Sequence, residues 1–202
     1  RMSSVPDSLS AQLDPDNKLL QHMPIRRMDA ESIRDHILAS SGTLKNDLYG
    51  RGVLPYVKDQ PNSRAKPPTG PLDGEGRRSI YIQVRRNFLP SFLRAFDFPP
   101  STEPVGQRPI TTVPAQSLAL LNHPLVHEQS RKWAERIVKS EVSVEDRIKL
   151  LHRQAFAREA RADEIIWAFG ALEKFDVSVD QTAAWSSLCH LMMNRKEFLY
   201  VF

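Results

Sequence analysis

Six arginines crowd one stretch of this 202-residue sequence: Arg77, Arg78, Arg85, Arg86, Arg94 and Arg108. A guanidinium group offers planar, paired N–H donors that match a carboxylate, sulfate or phosphate, and it also stacks on aromatic rings such as Tyr81. Arg77, Arg78, Arg85, Arg86 and Arg108 are therefore the candidate ligands for an anion, with an acidic or sulfated polysaccharide as the partner class. The competing reading is pairing inside the chain, for which Asp73, Asp97 and Glu103 are at hand. Nucleic acid needs a contiguous basic face. Acidic residues are scattered throughout and the net charge is only +4, so nucleic acid is not expected as a partner.

A second set mixes acid, base and amide types: Arg34, Asp35, Arg78, Asp97, Thr111 and Gln116. These are the residues to look for in one cleft if the chain forms part of an enzyme. His123 and His127 are four apart, a spacing that places both on one side of a helix start and can hold a metal. There is no His-Glu-x-x-His pattern and no third ligand in view, so no metal is expected. His123 is read instead as the residue that precedes a helix begun by Pro124. No phosphate loop, nucleophile elbow or dinucleotide fingerprint occurs. Cys189, the only cysteine, excludes an intrachain disulfide, a cysteine zinc cluster and a c-type haem attachment within the chain. Flanked by Leu188 and His190, it reads as a small core residue.

The elements that must position these residues are mainly helical. Asp29 can cap a helix to Ser41, with Ile33, Ile37 and Leu38 as its apolar stripe and Gly42 as its left-handed stop. Pro90 to Phe96 reads as one or two turns, within an aromatic set of Phe88, Phe92, Phe96 and Phe98. Pro114 opens a helix to about Asn122, and Pro124 a second to about Lys139. Ser143, with Asp146 three residues on, caps a third. A fourth spans Ala162 to Phe175 with Ile165, Ile166, Trp167, Phe169 and Leu172 as apolar positions. Asp180 caps a last helix carrying Trp185, Leu188, Met192 and Met193. The alternation Ile80, Ile82, Val84 against Tyr81, Gln83, Arg85 predicts a half-buried strand. The expected architecture is a mainly α, irregular multi-helix domain over 1–202, with long Pro-rich loops and a small β element near 79–86. Residues 1–24 are read as an N-terminal arm, and 43–76 as a Pro- and Gly-rich loop excursion. A hydrophobic fraction of 41% suffices for a core, and no apolar run reaches the roughly 18–20 residues of a membrane span.

Several motifs together resemble the planctomycete-type domain of unknown function 1553, the PSD domain. They are Arg26-Arg27-Met28-Asp29-Ala30-Glu31 with Ile33-Arg34-Asp35, then Ser41-Gly42-Thr43-Leu44, Arg77-Arg78-Ser79-Ile80-Tyr81 and Phe96-Asp97-Phe98-Pro99. The strongest is Thr111-Thr112-Val113-Pro114-Ala115-Gln116-Ser117-Leu118, continued by Leu120-Leu121-Asn122-His123-Pro124. The end, from Trp185 to Leu188 and from Asn194 to Tyr200, is similar too. Arg1-Met2-Ser3-Ser4 looks like an interior point of that domain, so the chain is expected to be its C-terminal portion. Two departures stand out: Val105-Gly106-Gln107-Arg108 lacks a cysteine common there, and Thr111-Thr112-Val113-Pro114 replaces a usual Thr-Asn-Thr-Pro.

The resemblance implies a large multidomain protein of the periplasm or cell surface. Haem would belong to a separate cytochrome c-like domain, with no cofactor in this chain, and the partners would be other domains of the same parent. It carries over no catalytic residues. The leading expectation is a non-catalytic structural or assembly domain. The alternatives are an acidic-polysaccharide module using the arginines, and part of a glycan-acting enzyme completed by an upstream segment.

Overall fold

A computed structural model describes residues 7–57, 68–86, 88–102, 104–140, 142–174 and 181–201. In chain order these form α1 (Ser8–Leu13), β1 (Arg26–Arg27), α2 (Ala30–Ser41), α3 (Ser91–Ala95), α4 (Pro114–Asn122) and α5 (Pro124–Val138). They continue through α6 (Val144–Phe156), α7 (Ala162–Lys174), α8 (Gln181–Met193), α9 (Lys196–Leu199) and β2 (Tyr200–Val201). Short 3-10 turns occupy Gly74–Gly76 and Ser79–Tyr81. The chain is mainly α, as the periodicity of its apolar residues requires.

Two helices with the same burial rhythm form the centre. On α5 the buried residues come as the doublets Leu125-Val126, Gln129-Ser130 and Trp133-Ala134, followed by Ile137. On α8 they are Ala184-Trp185, Leu188-Cys189 and Met192-Met193. Doublets four residues apart make a straight ridge on each helix, and small members such as Ser130, Ala134 and Cys189 let the ridges close on one another. The two helices accordingly pack more extensively than any other pair among the described elements. Trp133 and Trp185 are almost wholly buried there, and burying one such side chain contributes about 1.5–3 kcal/mol. α2, α6 and α9 add Ile33, Ile37, Ile148, Leu151 and Phe198 around this pair.

The helix ends follow the local chemistry of the sequence. Gly42 closes α2 in the left-handed conformation at φ 77°. The Ser143 hydroxyl accepts the Asp146 N–H at 3.1 Å and starts α6. His123 Nδ1 accepts the Leu125 N–H at 3.2 Å, so this histidine caps α5. Asp29 precedes α2 with extended backbone but makes no side-chain cap bond. The residues expected to end α7 and to cap α8, Phe175 and Asp180, lie outside the described residues.

Two expectations need correction. The small sheet is not near 79–86: it is an antiparallel pair of β1 and β2, with Arg26 opposite Val201 and Arg27 opposite Tyr200. Residues 79–81 wind into a 3-10 turn instead, and the segment keeps only a single parallel bridge, Val53 to Ile82. The reason is long-range. The Ser79 N–H is taken by the Asp35 carboxylate, while those of Tyr81 and Ile82 turn back to Arg78 and Ser79. Of the alternating set, Ile80 is 76% and Val84 53% exposed, so no apolar face forms. On α7 the buried stripe is Glu164, Ala168 and Leu172. Ile166 (72% exposed), Trp167 (46%) and Phe169 (38%) point away from the core.

Candidate functional site

Arg34 organises the loop region. It projects from α2, nearly buried, and its Nη1 donates to Arg77 O and Ser79 Oγ, both at 3.0 Å, and to Asp35 Oδ1 at 3.3 Å. Its Nη2 donates to Asp73 O at 2.6 Å. Gly74 lets this happen: at φ 58°, a Cβ there would stand 2.6 Å from Arg34 Nη2. Burial lowers the Arg34 pKa from its ordinary value, opposed by Asp35 and Asp73. Asp35 Oδ1 in turn accepts the N–H and hydroxyl of Ser79, each at 2.7 Å. Arg77 repeats the device further out. It donates to the carbonyls of Asp47, Tyr49 and Arg51, with its guanidinium 4.0 Å from the Tyr81 ring centre. The stacking on Tyr81 expected from the sequence is thus present, but in a carbonyl cage.

A second knot lies apart from the first. Asp97 accepts Arg27 Nη2 at 2.6 Å, the Thr111 N–H at 2.8 Å and the Thr111 hydroxyl at 2.8 Å. Gln116 completes it by donating to Thr111 O at 3.1 Å. Burial raises the Asp97 pKa, but the bonds from Thr111 and Arg27 outweigh it and hold the carboxyl below its usual range. The mixed set read from the sequence therefore divides: Arg34, Asp35 and Arg78 meet at one place, and Asp97, Thr111 and Gln116 at another.

Beside the first knot is a cleft of about 440 Å³, within the range of small-molecule sites. The start of α2 contributes Asp29, Glu31, Ser32 and Asp35. Arg78, Ser79, Gln83 and the apolar Ile80, Ile82 and Val84 come from the turn segment. Leu89, Pro90, Leu93, Phe98 and Arg108 complete the lining. Arg108 Nη1 stands 2.9 Å from both Glu31 oxygens and its guanidinium lies 5.6 Å from the Phe98 ring centre. Arg78 Nε is 3.8 Å from Asp35 Oδ2, too long for a hydrogen bond, and its side chain is 52% exposed. Of the five arginines proposed for an anion, the cleft gathers Arg78 and Arg108; Arg77, Arg85 and Arg86 do not line it. The partners chosen by these arginines, Glu31 and Asp35, differ from the carboxylates expected. Asp97 takes Arg27, the Asp73 carboxylate takes Lys132 at 3.2 Å, and Glu103 lies outside the described residues.

The most concentrated ionic cluster has little local signature in the sequence. Buried Glu164 accepts Arg158 at 2.7 Å on both oxygens, Arg195 at 2.9 Å and the Arg161 N–H at 3.0 Å. Hydrogen bonding to Arg158, against the cost of burial, holds its carboxyl far below the usual range. Only the last bond has a local signal, a glutamate at the third helical position reaching back to the residue before the helix. The others span up to 31 residues. Near it His152 is buried; its Nδ1 donates to Ile148 O at 3.0 Å, and its Nε2 faces Glu164 at 3.7 Å. His127 packs on His190 with ring centres 4.6 Å apart, and no metal-holding group occurs among the described residues. Cys189 is fully buried, and burial pushes its thiol far above the ordinary value, which makes it inert.

The fold and site define a mainly α-helical domain whose loop half is tied by arginines and which opens a polar cleft beside them. A family model matches residues 1–169, and the chain belongs to that family, PSD1, a protein of unknown function (DUF1553). Most of the motifs named above fall within the match, whereas the closing set from Trp185 to Tyr200 lies beyond it. No curated protein and no solved structure matches the chain.

Proposed function

We propose that the chain is a non-catalytic structural and assembly domain of a larger extracytoplasmic multidomain protein. One observation carries this reading: the reactive-looking residues are already committed inside the fold. Arg34 is held by Asp73, Arg77, Ser79 and Asp35. Arg77 sits among three carbonyls. Ser79 Oγ donates to Asp35 while receiving Arg34, which makes it a link between helix and loop and not a free nucleophile. The exposed Ile166, Trp167 and Phe169 of α7 supply an apolar surface of the kind other domains of one chain cover.

The test is an activity screen with two variants. Asp35→Asn and Arg34→Met should lower stability in denaturant titrations, and no glycan substrate should be turned over by the parent chain. If a defined substrate is turned over and a folded Asp35→Asn variant loses that turnover, the reading fails.

A further inference from the structure

We propose that the cleft between the start of α2 and the Arg78–Val84 segment binds a neutral saccharide unit. The inference goes beyond the assembly role and stands or falls separately from it. Its basis is the charge balance and donor pattern of the lining. Asp29, Glu31 and Asp35 face Arg78 and Arg108 there, and Arg34 holds Asp35 from behind at 3.3 Å, so three carboxylates meet three guanidinium groups and the site carries no net charge. An anion would face three carboxylates, and Arg108 is already bound to Glu31. A cation would face the two guanidinium groups. A ligand that both donates and accepts hydrogen bonds without net charge meets no such penalty.

The free groups match hydroxyls one by one. Arg78 makes no hydrogen bond to Asp35 at 3.8 Å, so its N–H donors can serve a ligand oxygen. Asp29 makes no cap bond, so its carboxylate can accept a ligand hydroxyl. Ser32, exposed on α2, both donates and accepts. Between these polar groups lie Ile80, Val84 and Phe98, apolar surface for the C–H face of a sugar ring. Polyols with one apolar face combine these three demands.

The test is calorimetry and saturation-transfer NMR on the 202-residue chain. The probes are neutral gluco-, manno-, xylo- and galacto-oligosaccharides, a sulfated oligosaccharide and spermine, each at low and moderate salt. At least one neutral saccharide should bind with an affinity that salt leaves unchanged. Ser32→Trp, which fills the cleft from an exposed helix position, should abolish binding, and Asp29→Asn should weaken it about tenfold. Thermal melting checks that both variants are folded, and the isosteric Asp29→Asn decides the matter if Ser32→Trp is not. The proposal is overturned if no neutral saccharide binds, if binding ignores the folded variants, or if only the sulfated probe or spermine binds and releases with salt. Chemical conversion of a bound saccharide would sustain the cleft assignment and defeat the non-catalytic reading.

Discussion

The α5–α8 centre and the loop region around α2 reach order by different physics. The first buries doublets on two helices, all apolar but Gln129-Ser130, so any one apolar contact is backed by its neighbours. In the second, the described loop residues of 43–86 bury Val53 as their one large apolar group and instead close onto the side chains of Arg34 and Arg77. Hydrophobic burial is additive and non-directional, whereas a guanidinium holding several carbonyls is directional and fails as a unit. The helical half should therefore tolerate conservative change, while the loop half should not.

The largest effect belongs to the centre. Trp133→Ala should cost about 3–5 kcal/mol and lower the denaturant midpoint of the whole domain, because it opens a cavity and removes one of the two donors, the indole N–H and Arg136, that the Gln154 oxygen accepts. Arg34→Met should cost about 3 kcal/mol, by leaving Asp35 and two carbonyls without their partner. Its signature is local: hydrogen exchange should accelerate over 73–82 while the α5 and α8 amides stay slow. Equal acceleration everywhere would erase the distinction between the two regions. Arg34→Lys should not restore it, since a single ammonium cannot span the same acceptors.

Acid should reveal a weak point of the helical half. Burial lowers the His36 and His152 pKa values below 6.5, so the unfolded chain takes up protons first as pH falls. Stability is therefore full above about pH 6.5 and declines below it. Glu164, held below its ordinary value of 4.5, keeps its contribution above that value and loses it as the pH falls further. Glu164→Gln should remove the lower part of the slope and His152→Phe part of the upper, as read from melting temperatures between pH 8 and pH 3. The smallest effect is expected of Ser143→Ala, about 1 kcal/mol or less from one lost helix cap.

Legibility in the sequence divides along the same line. The caps at His123 and Ser143 and the bounds of α5 and α6 depend on residues a few positions apart, and local pattern finds them. The 79–86 alternation misled because an alternating pattern implies a strand only when a neighbour supplies a ladder. Here Asp35, 44 residues earlier, captures the first N–H. The same limit applies to the cleft. Asp35, Arg78 and Arg108 were legible as chemistry-bearing residues, but the pairing of Arg108 with Glu31 crosses 77 residues. Asp29, Ser32 and Gln83 join them only because α2 and the turn are clamped together. On α7, composition read as core what the buried Glu164 stripe places outside.

The β1–β2 ladder has a mechanical consequence. Arg26 pairs with Val201 and Arg27 with Tyr200, so the outward ends of both strands emerge from one end of the ladder. Tension drawn across residues 26 and 201 would therefore peel the pair open one bond at a time instead of shearing all bonds together. The ladder would open from Arg26 and Val201 inward, and the load would then meet the buried Arg27–Asp97 pair and the Met28 N–H to Leu199 O bond before it reached Phe198 and the helices. Pulled at those two points, the domain would lengthen first by this short zip, and the tryptophan-filled centre would feel the load last.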